Sequence, residues 1–363
     1  MSKQWIDFHT IKKVLVAKLR HHGDVLLAAP VFSALKYSFP HLEIDAYLYG
    51  ETLPMLLGHP AINDYLLCCR SWRKLALHQR LKKEAQLLWN MRCKRYDLVI
   101  NLTEGDRGAL AAKMSGCRYA VGYNPQGKGM WRKKSIFTHL IDHGPYPRHT
   151  VEKNLDALRC LGLFPDRATR EIFFHLPEEA MASVREKLAS AKLQPGHYVH
   201  IHPVSRWMFK SLPPATVAKV IVALYRKGKQ VVLTASKDPL EIAYNAAVRA
   251  QINAIPVLDL SGCLSLKELA AVLAQSELMI SVDSVTVHLS SALKKPVVAV
   301  FGPTCDRNWA PWRNAKSRVI VPTVSCRPCY CRGCGNSGTS DCLTHLAPDK
   351  IIAAAFELLG ENR

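Results

Sequence analysis

Acidic residues are scarce in this chain of 363 residues: 29 Asp and Glu stand against 49 Lys and Arg, which leaves a formal charge of +20. A field of that sign asks for an anionic partner, and nucleic acid, acidic lipid and phosphorylated substrates all answer it. Long apolar runs are lacking as well. The longest, such as Val25 to Phe32, fall far short of the roughly 18–20 residues that cross a bilayer. Asp7 interrupts Trp5, Ile6 and Phe8, so the opening residues do not read as a signal-peptide core. These absences predict a cytoplasmic protein that meets a membrane only peripherally. No internal repeat recurs at a period of roughly 20–50 residues, which excludes solenoids and propellers. The 21 Pro and 19 Gly are scattered, which excludes collagenous and low-complexity chains. Twelve Cys in a large chain without an export signal read as reduced thiols.

What is present is ample apolar material, 48% of residues, for two cores at about 150 residues per domain. Short β-rich runs recur at Val14 to Leu19, Ile44 to Leu48, Leu98 to Leu102, Tyr198 to Ile201, Val231 to Thr234, Met279 to Val282 and Val297 to Phe301. Helical patterns separate them, so parallel sheets covered on both faces are expected. Between Leu102 and Tyr198 no comparable strand series is read, only helices over Val151 to Leu163 and Glu178 to Leu188. The junction is placed there, giving an N-terminal domain 1–175 and a C-terminal domain 176–347. Residues 348–363 form a last helix, started by Pro348, that is expected to pack back on the N-terminal domain. Two such βαβ domains leave a cleft at the carboxyl ends of their strands.

Four stretches sit where strands hand over to helices. In Arg20-His21-His22-Gly23-Asp24, a strand, a tight turn and a helical run from Val25 to Tyr37 place Asp24 at a cleft edge. The plainer reading makes Asp24 the cap of that helix. In His200 to Pro213, Ser205 and Lys210 have the chemistry to meet a diphosphate, and an ordinary basic loop is the alternative. In Ile280 to Ala292, a strand ends at Asp283 and a helix carrying His288 follows. Its amides at 284–287 suit a phosphate, and Asp283 suits a sugar hydroxyl. Capping by Asp283 and a satisfied core histidine form the alternative. The last stretch, Phe301-Gly302-Pro303-Thr304, repeats the carboxyl-edge pattern.

Two basic stretches lie in the N-terminal half. Arg70 to Arg95 sets Arg73, Lys74, Arg80, Lys82, Lys83, Arg92 and Lys94 around Leu77, Leu81, Ala85 and Leu88, and Lys128, Arg132, Lys133 and Lys134 surround Trp131. A basic amphipathic helix beside an aromatic basic loop suits an anionic membrane face, whereas a solvated helix face is the plain alternative. Cys326, Cys329, Cys331 and Cys334, followed by Cys342, have paired spacing that zinc or an iron–sulfur cluster can use. One residue between the pairs is far less than an ordinary zinc ribbon provides, so reduced loop thiols without metal are the favoured reading. A nucleic-acid-binding protein would explain the charge, but no helix-turn-helix spacing, RNP motif or basic zipper accompanies it, so no nucleic-acid partner is expected.

The series GDVLLAAP at 23–30, HPVSRWMFK at 202–210, SVDSVTVHLSSAL at 281–293 and VFGPT at 300–304 resembles the ADP-heptose:lipopolysaccharide heptosyltransferases, glycosyltransferase family 9. The resemblance spans nearly the whole chain and is nearest to the members that add the branching third heptose of the inner core. It implies an α/β GT-B fold, two Rossmann-like domains whose parallel sheets face a central cleft. It also implies inverting transfer from ADP-L-glycero-β-D-manno-heptose to a lipopolysaccharide core acceptor, with no metal or other cofactor required. Family roles then fall on Asp24 as base, on Ser205 and Lys210 at the diphosphate, and on Asp283, Ser284, Val285, Thr286 and His288 around heptose and phosphate. Leu264 takes the place of an adenine contact and Asp238 that of a ribose-binding acid, while Arg20, His22, Lys128 and Arg132 are expected at the acceptor. The family usually carries Thr-Gly after the strand-end Asp, and this chain has Ser284-Val285, so the Val285 side chain must turn away from a bound diphosphate. Transfer from a different nucleotide sugar, or to the acceptor of the second-heptose enzyme, is the competing assignment.

Overall fold

A computed structural model describes residues 6–144, 146–252 and 255–360. Residues 1–5, on which part of the signal-peptide reading rests, and 361–363, the end of the expected last segment, lie outside them. The chain divides into two compact units, residues 1–175 and 176–363, each built on one parallel sheet.

The first unit runs β1 (Lys13–Ala17), α1 (His22–Leu26), α2 (Ala29–Ser38), β2 (Glu43–Tyr49), β3 (Asp64–Cys68), α3 (Leu77–Cys93), β4 (Leu98–Asn101), α4 (Asp106–Ser115), β5 (Tyr119–Tyr123), β6 (His139–Ile141) and α5 (Thr150–Cys160). Its sheet order is β3-β2-β1-β4-β5-β6. The second unit opens with α6 (Glu178–Ser190) and continues through β7 (Tyr198–His202), α7 (Pro214–Arg226), β8 (Gln230–Leu233), α8 (Pro239–Arg249), β9 (Val257–Asp259), α9 (Leu266–Ala274), β10 (Leu278–Val282), α10 (Val285–Ala292) and β11 (Val297–Val300). It closes with α11 (Asp306–Trp309), β12 (Ser317–Ile320), α12 (Asp341–Thr344) and α13 (Pro348–Leu358). Its sheet order, β12-β11-β10-β7-β8-β9, repeats the first. Both are the doubly wound Rossmann order, in which the direction of strand addition reverses between the first and fourth strands. That reversal opens a crevice beyond the carboxyl ends of β1 and β4 in one unit and of β7 and β10 in the other.

The central strands are buried on both faces, as continuous β-branched runs require: Val14, Leu15 and Val16 in β1 and Val297 to Val300 in β11 are fully buried. Burying each such side chain contributes about 1.5–3 kcal/mol. Gly108 in α4 permits close approach to β4, because a Cβ there would stand 2.1 Å from the Asn101 side chain.

Two expectations are corrected. The gap between Leu102 and Tyr198 does contain strands, β5 and β6; the glycine in YAVGY and the brevity of HLI hide them from an apolar-run criterion. The run from Val25 to Tyr37 is two helices, because the chain turns at Leu27 and Ala28 before Pro30 enters the first turn of α2. The last helix belongs to the second unit. α13 packs on α7 and on β10, β11 and β12, burying Ile351, Ala354 and Ala355 in the second core, and Arg318 donates to Glu357 on it at 3.0 Å. Its apolar face matches the sheet beside it, so it completes the helical layer there.

Candidate functional site

In the second unit the chain leaves β7 through Pro203 and Val204 to Ser205, which is buried. The Trp207 amide donates to Ser205 Oγ at 3.3 Å, and a 3-10 turn over Met208–Lys210 aims the lysine across the crevice. Lys210 Nζ lies 2.7 Å from Asp283 Oδ2, at the end of β10, and Thr304 Oγ1 donates to the same oxygen at 2.7 Å. Three carboxyl-edge loops therefore meet on one carboxylate. The pair is mostly removed from water, with side-chain exposures of 17% and 8%.

Ser284 begins α10 in an extended conformation and makes no side-chain cap, so the first amides of this helix keep their donors toward the crevice. Its hydroxyl instead joins Thr286 at 2.6 Å, and Thr286 joins Ser281 at 2.7 Å. This hydroxyl chain ties the helix start to β10. Val285 is half-buried at the first helical position, and His288 is buried one turn on. Ser205, Lys210, Asp283, Ser284 and Thr286 thus sit at one end of one sheet. Asp238 and Leu264 have structural duties: Asp238 caps α8 by accepting from the Leu240 amide at 2.9 Å, and Leu264 packs on the cluster beneath α9.

Two sets of contacts at this site have no local signal in the sequence. His200 and His202, on the same face of β7, both meet Thr234 Oγ1, at 2.7 and 2.9 Å. Burial holds both imidazoles below their ordinary range, His202 at about 4. The cysteine-rich loop is a brace for the same loops. Arg327 donates to the carbonyls of Gly302 and Thr304, the Cys329 and Tyr330 amides donate to Pro303 O, and Ser340 donates to Phe209 O at 2.6 Å. Arg332 lies over the Trp207 ring, 5.7 Å from its centroid. Cys326, Cys329, Cys331 and Cys334 are free thiols, and among the described residues no three His, Cys, Asp or Glu side chains are positioned to hold a metal ion.

In the first unit Asp24 lies within the first turn of α1 and is not its cap; His21 occupies that position. Asp24 Oδ2 is 3.9 Å from Arg20 Nε, and its side chain is 17% exposed. Behind it, buried Lys18 Nζ donates to Leu102 O at 3.0 Å and to Asn154 Oδ1 at 2.9 Å. Burial pushes this ammonium down to about 8, against the opposing pull of the Asp24 charge. Asn154 in turn donates to Leu27 O at 2.9 Å, fixing the end of the helix that carries Asp24. His22 meets the Glu51 carbonyl at 2.9 Å.

Beside this loop lies a narrow cleft, open to solvent and with room for about one water, lined by Tyr49, Trp72, Arg70, Arg73, Arg80 and the Glu84–Arg107 pair. Arg70 stacks 4.1 Å over Tyr49, pairs with Glu51 and donates to the Arg20 carbonyl at 3.2 Å, so the cleft adjoins the Asp24 loop. Arg107 is spent on Glu84 in a two-pronged bond of 2.8 and 2.6 Å. Arg73 and Arg80 have no carboxylate partner among the described residues. Lys128 and Arg132 lie on an exposed turn at the start of α4, where Arg132 stacks on Trp131.

The repeated Rossmann order, with Lys210 and the uncapped start of α10 at the switch point of the second sheet, is the GT-B fold, an architecture suited to nucleotide-sugar chemistry. The sequence profile of glycosyltransferase family 9 (heptosyltransferase) matches residues 85–339. Lipopolysaccharide heptosyltransferase 3 of Escherichia coli strain K12 is 34% identical over 297 residues, 81% of this chain and 83% of that protein. The crystal structure of a family 9 glycosyl transferase from Veillonella parvula superposes with a TM-score of 0.81 at 20% identity, covering 97% of this chain and 98% of that one. The structure of Escherichia coli ADP-heptose heptosyltransferase II does so with a TM-score of 0.74 at 19% identity, covering 96% and 98%. The chain belongs to glycosyltransferase family 9, the heptosyltransferases.

Proposed function

We propose that the enzyme transfers L-glycero-D-manno-heptose from ADP-L-glycero-β-D-manno-heptose to the second heptose of the lipopolysaccharide inner core. The observation that carries this reading is the 34% identity to heptosyltransferase 3 of Escherichia coli over four-fifths of the chain, against 24% to heptosyltransferase 2 of the same strain. In this reading the donor diphosphate lies against the first amides of α10 and Lys210. Those groups answer the charge that grows on the departing ADP. Asp24 takes the proton of the attacking hydroxyl as the acceptor oxygen closes on the anomeric carbon from the face opposite ADP, so the configuration inverts in one displacement.

The acidic groups of the core acceptor are met by the unpaired Arg73 and Arg80 of the cleft beside the Asp24 loop. Such an acceptor is built on a lipid, so the enzyme works as a peripheral protein at the cytoplasmic face of the inner membrane. No described helix is long and apolar enough to cross a membrane. The decisive experiment supplies ADP-heptose with core acceptors ending in one or two heptoses and follows ADP release together with acceptor mass. A gain of one heptose on the two-heptose acceptor alone is expected. A gain on the one-heptose acceptor would reassign the enzyme to the second-heptose step, and no gain on either would reopen the donor.

A further inference from the structure

Six exposed large apolar side chains of the first unit, Leu77, Leu81, Trp89, Leu110, Met114 and Trp131, lie on α3, α4 and the turn that packs on α4. Glu84 of α3 bonds Arg107 of α4, and Arg92 of α3 donates to the Ser115 carbonyl of α4 at 3.1 Å. Both links join residues 23 apart, so the helices run parallel and level. Leu87 and Met91 of α3 are buried in the core. Leu77 and Leu81 are left in water at 69% and 58% exposure and Ala85 is exposed one turn on, whereas Leu88 already packs on the core. The 23-residue offset sets Leu110 and Met114 of α4, both exposed, level with the C-terminal half of α3, while Leu77 and Leu81 lie beyond the start of α4, on the side of the turn after β5. The turn after β5 extends the same surface. Its Met130 amide donates to Asp106 Oδ1 at 3.0 Å and Lys133 pairs with Asp106, which fixes Trp131, 83% exposed, beside the start of α4.

Cations surround these side chains. Between positions 70 and 95 there are nine Lys and Arg and a single acid, Glu84, already held by Arg107. Lys113 on α4 and Lys128, Arg132 and Lys134 on the turn add to the same sign; of the two acids beside them, Asp106 is held by Lys133 and Glu104 is exposed. We infer that α3, α4 and the 128–134 turn form one docking face for an anionic lipid bilayer, with Leu81 and Trp131 entering the headgroup region. The inference rests on the proposed lipid-linked acceptor. It places the arginine cleft, with Arg80 on α3 and Arg73 in the turn before it, at the edge of the docked face where an acceptor headgroup emerges. Nucleic acid would answer the charge but has no use for exposed Leu, Met and Trp. A bilayer answers both, because polybasic segments are drawn to acidic headgroups and aromatic and aliphatic side chains partition below them.

The test measures sedimentation of the full chain with vesicles of phosphatidylglycerol and phosphatidylcholine at 3:7 and of phosphatidylcholine alone, together with tryptophan emission. Tenfold or stronger partition into the acidic vesicles is expected, with a blue shift in emission and residual binding at 0.5 M salt, where surface charge is screened. The Leu81→Ser/Trp131→Ser variant should lose at least tenfold in partition while keeping its melting temperature and its affinity for ADP. It should still glycosylate delipidated core oligosaccharide but fail on vesicle-embedded acceptor. Equal partition of wild type and variant, concentration-dependent self-association through this face, or tight duplex DNA binding unaffected by the variant would each overturn the inference. Absence of transfer to either acceptor by the wild type would count against the proposed function and not against the face.

Discussion

Lys210 reaches 2.7 Å across the β7/β10 switch point to Asp283, which also accepts from Thr304, so one carboxylate holds three loops of the second unit in register. The lysine arrives already neutralised, and its full charge becomes available to an incoming diphosphate only as Asp283 turns to another donor such as a sugar hydroxyl. Lys210→Ala leaves Asp283 desolvated with one neutral donor and should cost about 3 kcal/mol of stability. Adding Asp283→Asn to that variant should recover most of the loss. A double-mutant cycle by chemical denaturation reads the coupling, and additive single effects would show that the pair is not an energetic unit.

Asp24 is held in the first turn of α1, where a carboxylate is favoured by the helix N-terminus by about 0.3–1 kcal/mol. Asp24→Asn should therefore cost little stability. If the carboxylate is the base, turnover falls by about 10²–10⁴ while ADP affinity, a property of the second unit, stays within a factor of two. Steady-state rates with calorimetric ADP titration separate the two effects, and near-normal turnover would remove Asp24 from the reaction.

The central strands were legible because β1, β4, β7, β8, β10 and β11 are short, largely apolar runs buried on both faces. The outer strands were not. β3, β9 and β12 are short, partly exposed and mixed with Asp, Ser or Arg, so a criterion of continuous burial passes over them. The site shows the same division. Ser205, Lys210, Asp283 and Thr304 are legible as residues at strand ends, but which of them meet depends on strand order, and no local pattern encodes that. The brace made by Arg327, Arg332 and Ser340 is a long-range docking of an irregular loop, and only its cysteines attracted notice. The arginine cleft draws Tyr49, Arg70 and Arg107 from three separate segments, so the sequence displays a basic stretch and conceals a cavity.

Arg73 and Arg80 line that cleft without a carboxylate of their own, unlike Arg70 and Arg107. A charge-assisted bond lost from each is worth about 1.5–3 kcal/mol, so single alanine substitutions should raise the acceptor KM by about tenfold or more. The donor KM should not move. Increasing salt should weaken acceptor binding in the wild type and do so less steeply in the double variant. An unchanged acceptor KM in the double variant would take the cleft out of acceptor recognition.

Stability should also fall in mild acid, and the buried histidines set the window. His202 titrates near 4 in the folded chain against an ordinary 6.5, and His200 is lowered as well, by burial and by the neighbouring His202. In the first unit His59, packed between Phe32 and Phe173, is likewise held at about 4 by burial. A histidine whose folded pKa is depressed takes up its proton first in the unfolded chain. Above 6.5 neither state is protonated and nothing is lost; between 6.5 and 4 the unfolded state gains protons that the folded state refuses, and stability drops progressively. At about 1.4 kcal/mol per unit, His202 alone accounts for a loss on the order of 3 kcal/mol across that window. Melting temperatures measured from pH 8 to pH 4.5 should be flat down to about 6.5 and then decline. His202→Gln, which keeps a polar partner for Thr234 but cannot titrate, should flatten part of that decline, and an unchanged profile would mean that His202 is not buried as a neutral ring.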